Sequence, residues 1–210
     1  KPEFIGFQCE DTDSGIQVGL VYAGELLAWF YLRDQLRPQA KALIDYLKKR
    51  NIEVSLLSGD SSDNVREIAQ QLNIDNFKNN LTPEQKLQVM ESLHKQGSVT
   101  MMIGDGVNDA PVLKAAHVSI AMGGGTDLAK TTADAVMLRD DLDLVRKAMI
   151  TSDRTQRIVK ENLWWAAIYN MAIVPMAAVG RVVPWVAALG MSLSSLVVVA
   201  NALRLSREVR

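Results

Sequence analysis

The sequence predicts an α/β domain built on a parallel sheet, followed by a helical hairpin that is long enough to cross a membrane. Two observations predict this architecture. Short apolar strands alternate with amphipathic helices as far as about residue 150, which is the pattern of a parallel sheet covered by helices on both faces. Beyond that point, residues 162–180 and 182–203 are runs of nineteen and twenty-two residues without a charge, and each reaches roughly the 30 Å of a bilayer's hydrocarbon core.

Length, charge and cysteine content limit the class of protein. The 210 residues suffice for one domain of ordinary size with a small appendage. A formal net charge of -1 lacks the basic excess that binding to nucleic acid requires, so nucleic acid is not an expected partner. Cys9 is the only cysteine, which fits a reducing, cytoplasmic location for the soluble part. The chain begins at Lys1 without an initiator methionine or a signal peptide, and we interpret this as truncation.

The elements of the soluble part follow from local patterns. Two apolar runs around a glycine turn predict a β-hairpin. Apolar residues at helical spacing predict four helices, and continuous apolar runs predict buried strands between them. The hairpin strands are predicted at 16–22 and 26–32, the helices at 38–49, 63–72, 83–95 and 141–160, and the other strands at 53–57, 98–103 and 118–122.

Two of the predicted strands end in acidic turns that contain glycine, at residues 58–60 and 104–106. In parallel sheets, ligands bind beyond the carboxyl ends of the strands. Asp105 and Asp109 lie four residues apart in the second of these loops, and Mg²⁺ takes one or two carboxylates together with water and a phosphate. The alternative reading is an acidic turn that caps a helix from Asn108 onward.

Two other segments offer groups for a phosphoryl ligand. Ser58 provides a hydroxyl and Gly59 a backbone amide. Lys86 lies one turn into a helix that begins at Thr82 and Pro83, and an ammonium group beside a transferring phosphoryl group offsets its developing charge. Taken singly, Ser58 also fits an ordinary turn residue and Lys86 a solvated surface lysine.

In this order, the segments LSGD at 57–60, TPEQK at 82–86 and GDGVNDAP at 104–111 resemble the haloacid-dehalogenase-like phosphorylation domain of P-type ATPases. Residues 121–127 and 133–136 also fit that family. The resemblance implies an aspartyl-phosphate formed from ATP, with Mg²⁺ as cofactor. It further implies that Asp105 and Asp109 match the Mg²⁺ positions, that Asn108 orients the site, and that Ser58, Gly59 and Lys86 contact the phosphoryl group.

The nucleophile motif of that family, Asp-Lys-Thr-Gly-Thr, is absent from the sequence. Residues 11–15, DTDSG, imitate a phosphatase nucleophile loop, but the mostly polar residues 7–10 do not form a convincing buried strand before it. The resemblance therefore implies that the nucleophile, the nucleotide-binding domain and further membrane helices lie upstream. Residues 1–15 would be the tail of the nucleotide-binding domain, 16–150 the phosphorylation domain and 151–210 the membrane hairpin, with spans at about 162–180 and 184–203.

Basic residues flank both outer ends of the predicted hairpin, and tryptophans lie where interfacial anchors belong. The positive-inside rule places both ends in the cytoplasm and the turn at 180–184 outside. The α/β domain then lies on the ATP side, and helix 141–160 links it to the first span. The basic residues are Arg154, Arg157, Lys160, Arg204, Arg207 and Arg210, and the tryptophans are Trp164, Trp165 and Trp185.

Polar residues within the predicted spans are candidate ion ligands. The thioether of Met191 is a soft ligand suited to Cu(I), and neither span contains a carboxylate, a lysine or a histidine, which argues against zinc and alkaline-earth ions. Helix packing is the alternative role for such residues. The spans resemble the last two of copper(I)-transporting heavy-metal ATPases, which implies that Tyr169, Asn170, Met191 and Ser195 match metal-site positions.

The function implied by the resemblance is ATP-driven export of Cu(I) from the cytoplasm, through a bacterial inner membrane, by a full-length P-type ATPase of which this chain alone is inactive. A copper chaperone and the lipid bilayer are the expected partners. Residues 185–192 resemble the subgroup that supplies copper for cytochrome oxidase assembly in bacteria. Two other functions stay open, namely a membrane-anchored phosphatase that uses Asp11 and a non-catalytic membrane subunit.

Overall fold

The structure is a computed structural model that describes residues 16–23, 25–32, 35–60, 64–105 and 107–207. The chain divides into two compact units, the first ending at Leu144 and the second beginning at Val145. The division falls inside the helix Asp143–Ala178, a few residues before the predicted boundary. Cys9, Asp11 and the rest of residues 1–15 lie outside the described residues.

The first unit alternates strands and helices, as the sequence predicts. A 3-10 turn, Val107–Asp109, precedes α4. In chain order its elements are β1 (Ile16–Tyr22), β2 (Glu25–Leu32), α1 (Ala40–Lys49), β3 (Ser55–Leu57), α2 (Asn64–Gln71), β4 (Asn76–Lys78), α3 (Pro83–Lys95), β5 (Met101–Gly104), α4 (Ala110–Ala115), β6 (Val118–Ala121), α5 (Asp127–Thr132) and β7 (Ala135–Val136).

The predicted hairpin is confirmed. Strands β1 and β2 pair in antiparallel fashion, with a bulge between Leu20 and Val21. A Cβ atom added at Gly19 would lie 3.0 Å from the ring of Trp29, so the indole packs directly on the backbone of β1. Glu25 is the first residue of β2 rather than part of the turn.

The parallel strands form two sheets, where the sequence analysis expects one. Strand β3 pairs with β4, and β5 pairs with β6, which pairs with β7. Within the described residues, β3 and β5 each have a paired neighbour on one side only. Strands β4 and β7, of three and two residues, are too short to show a period, and the sequence analysis missed both.

Two apolar clusters hold helices onto these sheets. The first joins α1 and α2 to the β3–β4 sheet, and the second joins α4 to the β5–β6–β7 sheet. Leu113 of α4 is fully buried, and burial of a leucine contributes roughly 1.5 to 3 kcal/mol. The first cluster comprises Ala40, Ile44, Ala69, Leu72 and Ile74 with partly buried neighbours such as Leu56 and Phe77, and the second comprises Leu113 and Ala121 with Met102 and Ala133.

The helix predictions hold with shifts at the ends. The helix predicted at 83–95 is confirmed as α3. Helix α1 begins at Ala40, because Pro38 and Gln39 form a turn before it. Asp63, the predicted first residue of α2, lies outside the described residues. The strands predicted at 53–57 and 98–103 are shorter or displaced, at Ser55–Leu57 and Met101–Gly104.

A buried serine ties β6 to the segment before β7. The carboxylate of Asp134 accepts hydrogen bonds from the hydroxyl and the backbone N–H of Ser119, both at 2.8 Å. The Asp134 N–H donates in return to Ser119 Oγ, at 3.0 Å. The Ser119 hydroxyl, and then its backbone N–H, lower the pKa of Asp134 below its ordinary value of 3.8 because both bonds favour the charged form.

The second unit comprises α6 (Asp143–Ala178) from Val145 onward, α7 (Pro184–Ala202) and α8 (Arg204–Arg207). Helix α6 joins the predicted helix 141–160 and the first predicted span into one element, with Pro175 inside it. The antiparallel arrangement of α6 and α7 is fixed by cross-helix hydrogen bonds. Trp165 Nε1 donates to Ser194 Oγ at 3.0 Å, and Asn201 Nδ2 donates to Asn162 Oδ1 at 3.0 Å.

One helical segment among the described residues, Pro184–Ser206, is long and apolar enough to cross a membrane, with a mean hydropathy of 1.9. Helix α6 is long enough but is not apolar enough to meet the same criterion, although its residues 162–178 are uncharged. The predicted second span is therefore the stronger of the two in composition.

Candidate active site

The turn after β3 packs against the segment that leads into α3. The Ser58 N–H donates to the carbonyl of Lys78 at 2.9 Å, and the Leu81 N–H donates to the carbonyl of Ser58 at 3.0 Å. Ser58 Oγ accepts from the Asp60 N–H at 3.1 Å, which leaves its hydroxyl proton to be donated. A Cβ atom on Gly59 would lie 3.3 Å from the Leu81 carbonyl, so this loop is held closely.

A capping box fixes the start of α3. The Thr82 hydroxyl accepts from the Gln85 N–H at 3.3 Å, and the Gln85 side chain accepts from the Thr82 N–H at 2.8 Å. Pro83 occupies the first turn, where its missing N–H costs nothing. Lys86, in the same turn, is only 9% exposed. The helix start therefore holds Lys86 inside the protein, and the surface-lysine reading is wrong.

Lys86 forms a buried ion pair with Asp109. Its Nζ donates to Asp109 Oδ1 at 2.8 Å, and the two side chains are 11% and 14% exposed. Gly104 makes room for the carboxylate, because a Cβ atom there would lie 3.0 Å from Asp109 Cβ and 3.1 Å from its Oδ2. The ion pair therefore joins the start of α3 to the loop after β5.

A run of three glycines, residues 123–125, packs against the loop that carries Asp105. The carbonyl of Asp105 accepts from the Thr126 N–H at 3.0 Å. A Cβ atom on Gly125 would lie 2.8 Å from that carbonyl and 3.2 Å from Asp105 Cα, so only glycine allows this approach. The sequence analysis did not assign Gly125 or Gly104 to the site, although glycines beside the paired carboxylates were a usable signal. The carboxylate of Asp105 itself is exposed.

The glycine run is fixed in turn by Asp140. Asp140 Oδ1 accepts from the Gly124 N–H at 2.9 Å, and Arg37 Nη1 lies 3.6 Å from Asp140 Oδ2. The Gly124 hydrogen bond lowers the pKa of Asp140 below its ordinary value of 3.8, partial burial opposes this, and the Arg37 charge adds to the lowering. A carboxylate that stays charged thus anchors the loop facing Asp105.

The structure brings some of the predicted site residues together and leaves others apart. Lys86 and Asp109 are in contact, and the Ser58 loop is bonded to Leu81, which lies just before α3. Asn108 is exposed in the 3-10 turn, and no hydrogen bond joins it to Lys86 or Asp109 in the described part of the chain. The predicted role of Asn108 stays a prediction.

The donor set around Asp105 and Asp109 fits a magnesium ion. No cluster of three or more acidic, histidine or cysteine side chains occurs among the residues that the structure describes. Mg²⁺ does not require one, because it retains several waters and takes one or two carboxylates with a phosphate. Asp105 offers an exposed carboxylate, whereas one oxygen of Asp109 is already bound by Lys86.

Comparison with known proteins identifies the family of the chain. Two family models, both described as haloacid dehalogenase-like hydrolase, match residues 5–117 and 86–149. The first match covers more than half of the 210 residues. The chain belongs to the haloacid dehalogenase-like hydrolase family. Its parallel strands, joined by helices, agree with this membership.

Within this family, the homologues that match most of the chain are P-type ATPases. A copper-exporting P-type ATPase of Staphylococcus haemolyticus (strain JCSC1435) is 41% identical over 188 residues, 90% of this chain and 24% of the relative. One of Staphylococcus aureus (strain JH9) is 44% identical over 174 residues, 83% of this chain and 22% of the relative. The chain thus spans about a quarter of the length of these curated relatives.

A solved structure shows the same relationship. The crystal structure of a zinc-transporting PIB-type ATPase in the E2.Pi state is 32% identical, with a TM-score of 0.80, and the match covers 91% of this chain and 32% of that one. The match covers most of the α/β unit and extends into the helices that follow it.

The predicted ion ligands lie at two kinds of position in the second unit. The hydroxyl of Tyr169 is buried and has no hydrogen-bond partner among the described residues, at a cost of about 1 to 3 kcal/mol. It lies against α7, where a Cβ atom on Gly190 would be 2.6 Å away. Asn170, Met191 and Ser195 are exposed instead, Met191 to 63%.

The three exposed candidates share one side of the helix pair. Tyr169 and Gly190 face each other across antiparallel helices, and each step along a helix turns the side chain by about 100°. Because the helices run in opposite directions, the residues after this contact, Asn170 and Met191, turn towards the same side. Ser195 lies one turn beyond Met191 on that side, and its hydroxyl donates to the Met191 carbonyl at 3.0 Å.

Other polar residues of the spans have a packing role. Ser194 accepts from Trp165, which the sequence analysis assigned to an interfacial anchor. Asn201 bonds to Asn162 and accepts from Arg204 Nη1 at 2.8 Å. The packing reading therefore applies to Ser194 and Asn201, which lie between the helices.

The buried ion pair generates a stability prediction. Lys86→Met leaves the Asp109 carboxylate buried without its partner, and we expect a loss of about 3 to 5 kcal/mol of unfolding free energy. Asp109→Asn alone is expected to cost a similar amount, because it leaves the lysine unpaired.

Thermal unfolding of the chain in detergent micelles measures these losses of unfolding free energy. The double variant Lys86→Met, Asp109→Asn should lose less than the sum of the two single losses, since neither charge is then left alone. Strictly additive losses would mean that the pair does not contribute as a unit.

Proposed function

We propose that this chain is the C-terminal part of an ATP-driven pump that exports Cu(I) from the cytoplasm through an aspartyl-phosphate intermediate. The observation that carries the proposal is the buried ion pair between Lys86 and Asp109, which joins the start of α3 to the loop after β5, in a chain whose homologues are P-type ATPases. The full-length protein would be the enzyme. This chain alone, which lacks an Asp-Lys-Thr-Gly-Thr motif, would be inactive.

The residues of the site have separate roles in this proposal. The Ser58 hydroxyl and the Gly59 amide donate to phosphoryl oxygens, and Lys86 offsets their charge. Asp105 and Asp109 hold Mg²⁺ directly or through water, and Asn108 orients the site. Mg²⁺, when bound, neutralises charge on the phosphoryl oxygens. Because Asp109 already fixes the Lys86 ammonium at 2.8 Å, the positive charge is in place before the phosphoryl group arrives.

The separation of the two sheets supports a proposal for the position of the nucleophile. Strand β3 leads to Ser58, strand β5 leads to Asp105, and each has one paired neighbour among the described residues. Parallel strands of an α/β sheet are normally paired on both sides in its middle. We infer that a further strand pairs with both β3 and β5, and that it delivers the phosphorylated aspartate between Ser58 and Asp105.

The choice of Cu(I) rests on the chemistry of the helix pair. The curated relatives are named for copper and the similar solved structure for zinc. Zinc sites favour imidazole, thiolate or carboxylate ligands, and residues 162–180 and 182–203 contain none of these. The Met191 thioether is a soft ligand that suits Cu(I). Tyr169, Asn170, Met191 and Ser195 would form part of the ion path, and a copper chaperone would deliver the ion.

The membrane topology is part of the proposal. Helices α6 and α7 would cross a bacterial inner membrane with residues 180–184 outside, and the phosphorylation domain would lie in the cytoplasm. The first half of α6, at about residues 141–160, would transmit changes at the phosphorylation site to the ion path, because the helix continues without a break into the first span.

The magnesium role generates a test in the intact pump. Asp105→Asn removes the exposed carboxylate without disturbing the Lys86–Asp109 pair, so we expect at least a hundredfold loss of Cu(I)-stimulated ATP hydrolysis, on the order of removing a main electrostatic group. The protein should still fold and insert. Asp75→Asn is the matched control, because that aspartate is 93% exposed beside Lys48. Normal activity in Asp105→Asn would exclude the magnesium assignment.

The ion path generates a second test. Met191→Ala is expected to weaken Cu(I) binding by the membrane domain by about tenfold or more, the effect of losing one ligand worth roughly 1.4 kcal/mol. Competition with a chromophoric Cu(I) chelator measures it. Met171→Ala is the control, since Met171 is 77% exposed and lies two residues past the contact with α7. Equal affinities for wild type and Met191→Ala would leave Met191 with a packing role.

A further inference from the structure

A side chain at position 190 of α7 would clash with Tyr169. A Cβ atom there would lie 2.6 Å from the tyrosine hydroxyl, but 3.5 and 3.6 Å from the ring atoms Cζ and Cε2. The last two distances are ordinary van der Waals contacts. The conflict is therefore confined to the hydroxyl oxygen, and a phenylalanine ring in the same place would accept an alanine at position 190.

The hydroxyl lacks a partner in this position. It is buried and makes no hydrogen bond to any described residue. A buried polar group without a partner is rare in proteins and calls for a specific explanation. An oxygen enclosed in this way cannot act as a ligand to an ion unless the side chain moves.

The Tyr169 ring has a second common side-chain conformation. Asn170 and Met191 directly follow the two contacting residues and lie on the exposed side of the helix pair. Tyrosine in a helix has two common χ1 rotamers. A change of rotamer would take the hydroxyl out of the space at Gly190, and the candidate ligands next to this contact on the two helices are Asn170 and Met191.

We propose that Gly190 and Tyr169 form a two-position latch in the ion path. Gly190 is a positioning residue that receives the hydroxyl when no ion is bound, and Tyr169 turns out to contact the ion when the site is loaded. We call the position of the hydroxyl against Gly190 the stowed position. It favours release of the ion, because Tyr169 is then withdrawn as a ligand. This inference rests on the proposed Cu(I) path.

The first part of the test is the variant Gly190→Ala in the intact pump. Alanine ordinarily stabilises a helix relative to glycine, but here it blocks the stowed position. We expect the affinity for Cu(I) to rise by about fivefold or more and Cu(I)-stimulated turnover to fall by a similar factor, the lower end of typical coupling between two states. A purely structural defect would lower affinity and turnover together.

The second part is a double-mutant cycle on the thermal stability of the intact pump in detergent micelles. In Gly190→Ala, Tyr169→Phe the obstructing oxygen is gone, so the double variant should be more stable than Tyr169→Phe alone and should bind Cu(I) with the affinity of Tyr169→Phe. The double variant removes the clash, so it provides a result even if Gly190→Ala alone does not fold.

Two results would overturn the latch. One is wild-type affinity and turnover in Gly190→Ala, and the other is additive stabilities in the cycle, which would mean that the hydroxyl does not occupy the space at position 190. Cu(I) binding that does not depend on Met191 would instead refute the proposed ion path. The stability cycle does not involve copper, so the two failures are distinguishable.

Discussion

The ion pair between Lys86 and Asp109 is the interaction on which the candidate active site depends. The β3–β4 and β5–β6–β7 sheets share no backbone hydrogen bonds in the described part of the chain. Lys86 extends from the helix that follows the first sheet to a carboxylate in the loop that follows β5. Because both charges are largely buried, each would be costly alone, so the pair holds the two loops in one arrangement.

Close backbone approaches give the site the rest of its shape. Gly104 leaves space for the Asp109 carboxylate, and Gly125 allows the backbone after β6 to touch the Asp105 loop. Gly190 plays a comparable part in the second unit, where it admits the Tyr169 hydroxyl. In each case a methyl group would displace a polar residue of the proposed mechanism. These glycines matter for the space they leave, and not for unusual backbone angles.

The sequence predicted the locally determined features well. The capping residues Thr82 and Gln85 specify the start of α3, and the apolar run before Asp105 specifies β5. Sheet pairing was less predictable, because the partners of β3 and β5 are set by distant segments. The continuity of α6 was also missed, since the change from charged to uncharged residues near Glu161 suggests a boundary although no helix breaker occurs there. The burial of Lys86 depends on Asp109, 23 residues away in sequence, and no local pattern reveals it.

We propose that a strand carrying the phosphorylated aspartate completes the sheet between β3 and β5. The most direct test is to isolate the native protein with an antibody to residues 84–97, label it with ATP carrying a radioactive γ-phosphate in the presence of Cu(I), and map the labelled peptide. We expect a hydroxylamine-sensitive phosphoaspartate in an Asp-Lys-Thr-Gly-Thr sequence outside these 210 residues. Label on Asp11, or an unlabelled product with the mass of this chain alone, would contradict it.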